Sequence, residues 1–449
     1  MSVVDGAKRG VRWIAAREPR TLLIAGWVVF VLAAYPGYMS VDSTLQLYTV
    51  RSGDYSDYAP VMTALWGALE YVAAGPFPML ALQSGLFVFG LAALLRRVMS
   101  PRAAAVTAPA VLVFPAVLAP MAVIWPDSLM AGALVAGIAA LLEDRPRWRV
   151  TGMLLLIVAC SCRPEIVLAL TPLVMLVIPK STRWRRAAIA LAMVIGIAGV
   201  ARVTDWVLTT TDTYSWRQTL MMTDLVGTLR RAKVKDDAAL HQALAGLTIA
   251  DNNALTTRMN AGVGALRWWP LANGDARIFD PITTAEQSDV LTAAWRHTIA
   301  ERPGGYAVHR WAMTRSLIGI SGNWEPIYDN HGDPQLLAPL HHRAESSDWQ
   351  YGMQQFVRLV GKTPLFRPWL YLILAVAMIV LNRRIPVIRN LVASGLAYQV
   401  AMVIFAPAPD YRYSHWMVTT TCIAIAATIV TRSWRRRMLP GVVAVKHGD

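Results

Sequence analysis

Apolar runs approaching the roughly 20 residues needed to cross a bilayer recur along this chain, and arginine clusters sit beside many of them. The first, Thr21 to Ala34, follows a basic stretch with Lys8, Arg9, Arg12, Arg17 and Arg20. Positive charge is retained in the cytoplasm, so this span, about 21–38, runs outward. Its small Ala33-Ala34 pair mimics a signal-peptide end, but the many later spans make it an uncleaved anchor. An outer loop with short interfacial helices follows over 39–75. Span two, about 77–95, returns to Arg96-Arg97; span three, about 103–124, leads out to Trp125-Pro126-Asp127; span four, about 128–142, comes back to Arg145, Arg147 and Arg149.

The run from Val150 to Ile178 is too long for one span and is broken by Cys162-Arg163-Pro164-Glu165, which predicts two short segments meeting at an outer tip. Lys180 to Arg186 then lies inside, and span seven, about 187–208, goes out. A largely polar stretch, 209–365, has no convincing span and reads as a mainly helical outer domain. Within it Asp289 to Thr298 is amphipathic and Tyr306 to Ile318 forms another helical run, both leading to Gly, Pro or Asn signals. Spans eight (about 366–382), nine (about 390–406) and ten (about 413–430) close the chain, with both termini inside. The expected architecture is an all-α polytopic membrane protein of about ten spans. It comprises an N-terminal transmembrane module, 1–208, an extracytoplasmic domain, 209–365, and a C-terminal transmembrane module, 366–449.

Composition agrees. Of 449 residues 55% are hydrophobic and 16% charged, against about 25% charged in soluble proteins. The net charge of +15 does not indicate nucleic acid, because much of the excess lies in clusters beside apolar runs, where it sets topology and meets anionic lipid. The three cysteines, Cys160, Cys162 and Cys422, lie in or beside membrane segments and imply no disulfide framework.

The topology gathers charge on one face. Asp42, Asp127, Arg163, Glu165, Asp410 and Arg412 come from distant parts of the chain, yet all fall at outer ends. Membrane proteins bring such groups together when they line a cavity. There is no phosphate loop, dinucleotide fingerprint, zinc-helix motif or nucleophile elbow. Asp329-Asn330-His331-Gly332-Asp333, with His341 and His342 nearby, can hold a cation or simply form a capped polar turn. Asp42 can N-cap an interfacial helix, act as a general base, or both. Arg163 and Arg412 can grip a phosphate or form ion pairs with Glu165 and Asp410. The tryptophans of the outer region, Trp216, Trp268, Trp269, Trp295, Trp311, Trp324 and Trp349, can stack on sugar rings, fill cores or anchor at the lipid interface.

In this order the motifs resemble those of the GT-C superfamily of integral-membrane glycosyltransferases, especially bacterial enzymes that use dolichyl- or polyprenyl-phosphate sugars to transfer mannose or arabinose. The resemblance covers the general plan of the whole chain. Those enzymes carry an essential acid just after span one, matched by Val41-Asp42-Ser43. Many have a Gly, an Asp and a His-Pro pair before span two. Here the stretch is Gly53-Asp54-Tyr55-Ser56-Asp57-Tyr58-Ala59-Pro60, in which Ala59 replaces the histidine. Trp125-Pro126-Asp127, Arg163-Pro164-Glu165 and Asp410-Tyr411-Arg412-Tyr413 match three further motifs.

The resemblance implies inverting sugar transfer by direct displacement, with Asp42 as general base. Asp54, Asp57 and Asp127 would contact acceptor or donor sugar, and Arg163, Arg310 and Arg412 would hold the donor phosphate. Arginine suits that task because its planar fork donates two hydrogen bonds to a phosphate. A nucleotide-sugar donor does not fit a site that opens away from the cytoplasm. A divalent metal is compatible with the chemistry, although no ligand set stands out. The partners expected are a polyprenyl-phosphate-linked sugar, a glycan, glycolipid or protein acceptor, and membrane lipid. The expected location is the inner (plasma) membrane, with the site on its extracytoplasmic side. Two other classes share these features: a lipid-linked oligosaccharide polymerase or ligase, and a non-enzymatic polysaccharide or lipid transporter or flippase. The absence of a visible internal repeat, and the gathering of charge at span ends rather than the midplane, weigh against transport.

Overall fold

The computed structural model describes residues 17–210 apart from 57, 216–247 apart from 235 and 246, 277–321 apart from 281 and 283, 347–438, and the single positions 257 and 340. Among these residues the protein is helical throughout, without a strand. The helices are α1 (Pro19–Ala34), α2 (Val41–Ser52), α3 (Pro60–Glu70), α4 (Phe77–Leu95), α5 (Pro101–Leu112), α6 (Pro115–Met121), α7 (Pro126–Leu141), α8 (Pro146–Cys162), α9 (Val167–Val174), α10 (Arg183–Leu208), α11 (Trp216–Arg231), α12 (Asp237–Ala243), α13 (Ala285–Glu301), α14 (Pro303–Leu317), α15 (Asp348–Gly361), α16 (Pro368–Leu381), α17 (Pro386–Phe405) and α18 (His415–Met438). Short 3-10 turns cover Pro164–Ile166, Pro364–Phe366 and Tyr411–Ser414.

Proline punctuates the apolar sequence. It occupies the first turn of α1, α3 through α8, α14, α16 and α17, where its fixed φ and missing N–H cost nothing. The same chemistry breaks the expected third span. Pro115 begins a new helix, and the residue before it, Phe114, is extended at φ −65° and ψ 126°, as a residue preceding proline prefers. α5 and α6 consequently meet at a bend of 70°.

Four helices are long and apolar enough to cross a membrane: α4, α10, α17 and the segment Tyr411–Arg432. The bent α5–α6 pair makes a fifth if taken as one span. The other apolar helices are shorter. α1, with 16 residues, is roughly 24 Å long, below the ~30 Å hydrocarbon core.

The main core surrounds α7, which is buried along almost its whole length. α4 and α8 pack on it closely enough that small residues are required at the contacts. A Cβ at Gly132 would lie 2.6 Å from the carbonyl oxygen of Gln83. Because α7 is central, Asp127 in its first turn is drawn into the middle of the fold. A second, smaller core of Leu225, Leu229, Leu240, Phe279 and Leu291 unites α11, α12 and α13.

Candidate functional site

The loop after α1 is pinned to the segment before α7. An isolated parallel bridge joins Tyr38 to Val123. The Tyr38 amide donates to the Ala122 carbonyl and the Ile124 amide to the Tyr38 carbonyl, each at 3.0 Å. Gly37 makes this approach feasible: its φ is +115°, and a Cβ there would come within 2.9 Å of the Ile124 side chain. Ser43 Oγ then donates to the Ile124 carbonyl at 2.7 Å, and Trp125 Nε1 to Ser40 Oγ at 2.7 Å. Two segments about 85 positions apart are thereby stitched together, and the first turn of α2 is set beside the first turn of α7.

Ser40, not Asp42, is the N-cap of α2; it forms a capping box with Ser43. Asp42 sits inside the first turn, where the helix dipole favours a carboxylate. Its side chain keeps about a quarter of its exposure, 24%. Arg412 Nη1 donates to Asp42 Oδ2 across 370 positions of sequence. Tyr58 OH donates to the same oxygen at 3.4 Å. Burial, and next the charge of Asp42, push the Tyr58 phenol well above its ordinary range, so it remains a donor. Both contacts fall on Oδ2, which leaves Oδ1 for another partner.

Arg412 projects from the 3-10 turn Tyr411–Ser414. Asp410 starts that turn, accepting from the Arg412 amide at 3.2 Å, and Tyr411 OH anchors it to the Ala116 carbonyl at 2.9 Å. The Arg412 guanidinium also lies 3.2 Å from an Asp410 oxygen. It faces the rings of Trp125 and Tyr413 at 5.1 and 5.2 Å, a cation–π arrangement.

A second pair lies deeper. Arg163 Nε and Nη2 donate to the two oxygens of Asp127 at 3.0 and 2.6 Å, a bidentate fork with both groups buried. Tyr398 OH reaches Asp127 Oδ1 at 3.5 Å. Tyr413 links the two pairs, since the Arg163 guanidinium stands 5.1 Å from its ring. Around this cluster several buried polar atoms have no hydrogen-bond partner: Glu165 Oε2, both amide atoms of Gln399, Ser414 Oγ and His415 Nε2. Buried polar groups are normally satisfied, so this end of the bundle has unused capacity for polar ligand groups or water.

The expected site residues divide. Asp42, Asp127, Arg163 and Arg412 come together. Asp54 is exposed on the turn after α2, its amide donating to Ser52 Oγ at 3.3 Å. Asp57 lies outside the described residues, as do Asp329, His331, Asp333, His341 and His342. Among the described residues no group of three or more His, Cys, Asp or Glu side chains is arranged to hold a metal ion. Arg310 belongs to another cluster. Its Nη2 donates to Asp224 at 2.8 Å and its Nη1 to the Ala406 carbonyl at 2.9 Å, while Trp295 Nε1 donates to Asp224 at 3.1 Å and His309 Nε2 lies 3.4 Å from it. Arg163 pairs with Asp127 instead of Glu165. Tyr58, Trp125, Tyr398 and Tyr413 complete the site, although sequence reasoning assigned them no role. Tyr58, Trp125 and Tyr413 lie within the matched motif stretches, which was the signal available for them; Tyr398, in α17, had none. The chain matches no protein-family model and no curated protein.

Proposed function

We propose that this protein is a membrane glycosyltransferase that moves a sugar from a polyprenyl-phosphate donor to an acceptor hydroxyl on the extracytoplasmic face. On this reading the shorter apolar helices cross together with the long ones in a GT-C-like bundle of about ten spans, and residues 209–365 form the outer domain. The observation that supports it most is the direct contact between Asp42 and Arg412 beside the Asp127–Arg163 pair. A base and two phosphate-binding forks, drawn from four separate motifs, share one site.

The chemistry follows from those groups. Asp42 Oδ1 takes the acceptor's hydroxyl proton as the oxygen attacks the anomeric carbon. The bond from that carbon to the phosphate oxygen breaks, and polyprenyl phosphate leaves with the electron pair. A guanidinium offsets the charge that develops on it. Arg412 lies between two carboxylates, Asp42 and Asp410, and on this reading the donor phosphate takes the place of Asp42 on Arg412 while Asp410 stays. That exchange frees the base when the donor arrives. Arg163, held bidentately by a fully buried carboxylate, is the less exchangeable of the two.

The test is transfer in vitro. Purified protein in nanodiscs is incubated with radiolabelled polyprenyl-phosphate sugars and an envelope-glycan extract, without nucleotide sugars. Labelled glycan is expected. Label transfer that depends on a nucleotide sugar would overturn the donor assignment.

A further inference from the structure

α15 is packed on the wrong face for a helix surrounded by water. At 100° per residue, Leu359, Phe356, Trp349, Val360, Met353 and Val357 form one continuous apolar arc. The protein covers this arc off centre, by roughly a quarter turn. It buries Val357 together with the polar Gln350 and Gln354, while Trp349, Phe356 and Leu359 stay 78%, 50% and 67% exposed. Gln350 does structural work on the inner side: its Nε2 donates to the Ala34 carbonyl at 3.3 Å, and its own carbonyl accepts from Tyr38 OH at 2.5 Å. The roll of the helix is therefore fixed by the end of α1 and the start of the Asp42 loop.

The uncovered half continues an apolar surface. α1, which α15 touches, exposes Val29 and Leu32 on its outside, and Tyr35, the residue after it, is exposed too. The Tyr35 ring packs, tilted by 56°, against Phe77, the first residue of α4, with centroids 5.4 Å apart, and both rings are partly exposed. Tyr35, Phe77 and Trp349 thus lie at one level, where α1 ends and the long apolar α4 begins. Aromatic residues gather at that level in membrane proteins because their amphipathic rings suit the headgroup boundary. The rest of the exposed surface of α15 carries Asp348, Gln355 and the amphipathic Tyr351, with Lys362 as its C-cap. Six residues separate α15 from α16.

We infer that α15 is an interfacial helix, lying in the headgroup–acyl boundary of the leaflet where α1 ends, with Trp349, Phe356 and Leu359 in lipid and Gln350 against the protein. Such helices bury one apolar face about 5–10 Å into the boundary. The last part of the polar region between α10 and α16 is then part of the membrane surface, and it braces the loop that carries Asp42. The inference needs only that the bundle is membrane-embedded; it does not depend on the sugar chemistry.

The test reads depth. The full-length chain is reconstituted in phosphatidylcholine–phosphatidylglycerol vesicles, with an environment-sensitive fluorophore on Phe356→Cys and, separately, on Gln355→Cys; Cys160, Cys162 and Cys422 are buried and do not compete for label. The inference predicts blue-shifted emission at 356, quenched by lipids spin-labelled near the headgroup and not by aqueous iodide, with the opposite pattern at 355. Iodide quenching at both positions would overturn it, as would protection of 356 from both quenchers, which would mean that protein covers the face. Leu359→Cys replaces Phe356→Cys if the latter does not fold, and the same outcomes apply.

Discussion

Among the described residues two buried arginine–aspartate clusters stand out, and they are built differently. In one, Asp224 is fully enclosed by Arg310, His309 and Trp295 from α13 and α14. These groups lie within one packed unit, and the cluster ties that unit to the end of α17 through the Ala406 carbonyl. In the other, Asp42, Asp127, Arg163 and Arg412 come from four distant segments and share Tyr413 as a common wall. Asp42 remains partly exposed and its partner is shared with Asp410, whereas Asp224 is fully buried; unpartnered buried polar atoms occur in both clusters. A closed cluster fastens helices; a shared, partly open one can exchange partners. On the proposed reading the contrast assigns Arg310 the fastening part and Arg412 the donor contact.

The largest expected effect lies in the closed cluster. Asp224→Ala leaves Arg310 buried without its counter-charge, and removing one partner of a buried pair costs about 3–5 kcal/mol. Thermal unfolding in detergent should show a large loss of stability or failure to fold; an unchanged unfolding temperature would show that the cluster does not fasten the unit. Gly227→Ala comes next. A Cβ there would run into the buried His309 ring, and overpacking of this kind costs about 1–3 kcal/mol. The same unfolding measurement checks it.

Exchangeability predicts a different signature at Arg412. Arg412→Lys should raise the apparent KM for the lipid donor by about tenfold, the worth of one charge-assisted hydrogen bond, while Arg310→Gln should lower stability and leave donor dependence alone. Donor titration in nanodiscs separates them. Equal donor dependence in Arg412→Lys, Arg412→Gln and the wild type would remove Arg412 from the site.

Helix positions were readable because prolines and arginine clusters mark where apolar segments begin and end, and α4 matches its expected span of 77–95. The 70° break between α5 and α6 was hidden, since a hydropathy window averages across Phe114-Pro115. Five residues of the cluster, Asp42, Asp127, Arg163, Asp410 and Arg412, were legible as motifs, and the Arg412–Asp410 contact was among the expected pairings, but the Asp42–Arg412 and Asp127–Arg163 pairings were not. Proximity in sequence suggested Arg163 with Glu165. Residues two apart at a helical turn do not face each other, and Arg163 instead reaches Asp127, 36 positions away. The contacts of the tyrosines were not legible for a related reason. Tyr58 reaches Asp42 from beside Ala59, which adopts a left-handed φ of 50°, and neither hydropathy nor charge pattern signals such a turn.

Asp42→Asn has the smallest expected effect on stability, about 1 kcal/mol or less, because Arg412 retains Asp410 and the capping of α2 rests on Ser40. The amide keeps the shape of the carboxylate but cannot take a proton. The most direct test is therefore the envelope glycan of a deletion strain, analysed with and without complementation. The account predicts loss of a specific glycosyl unit on deletion, restoration by the wild type, and no restoration by Asp42→Asn produced at the wild-type level. Full restoration by that variant would contradict the assignment of Asp42 as the base.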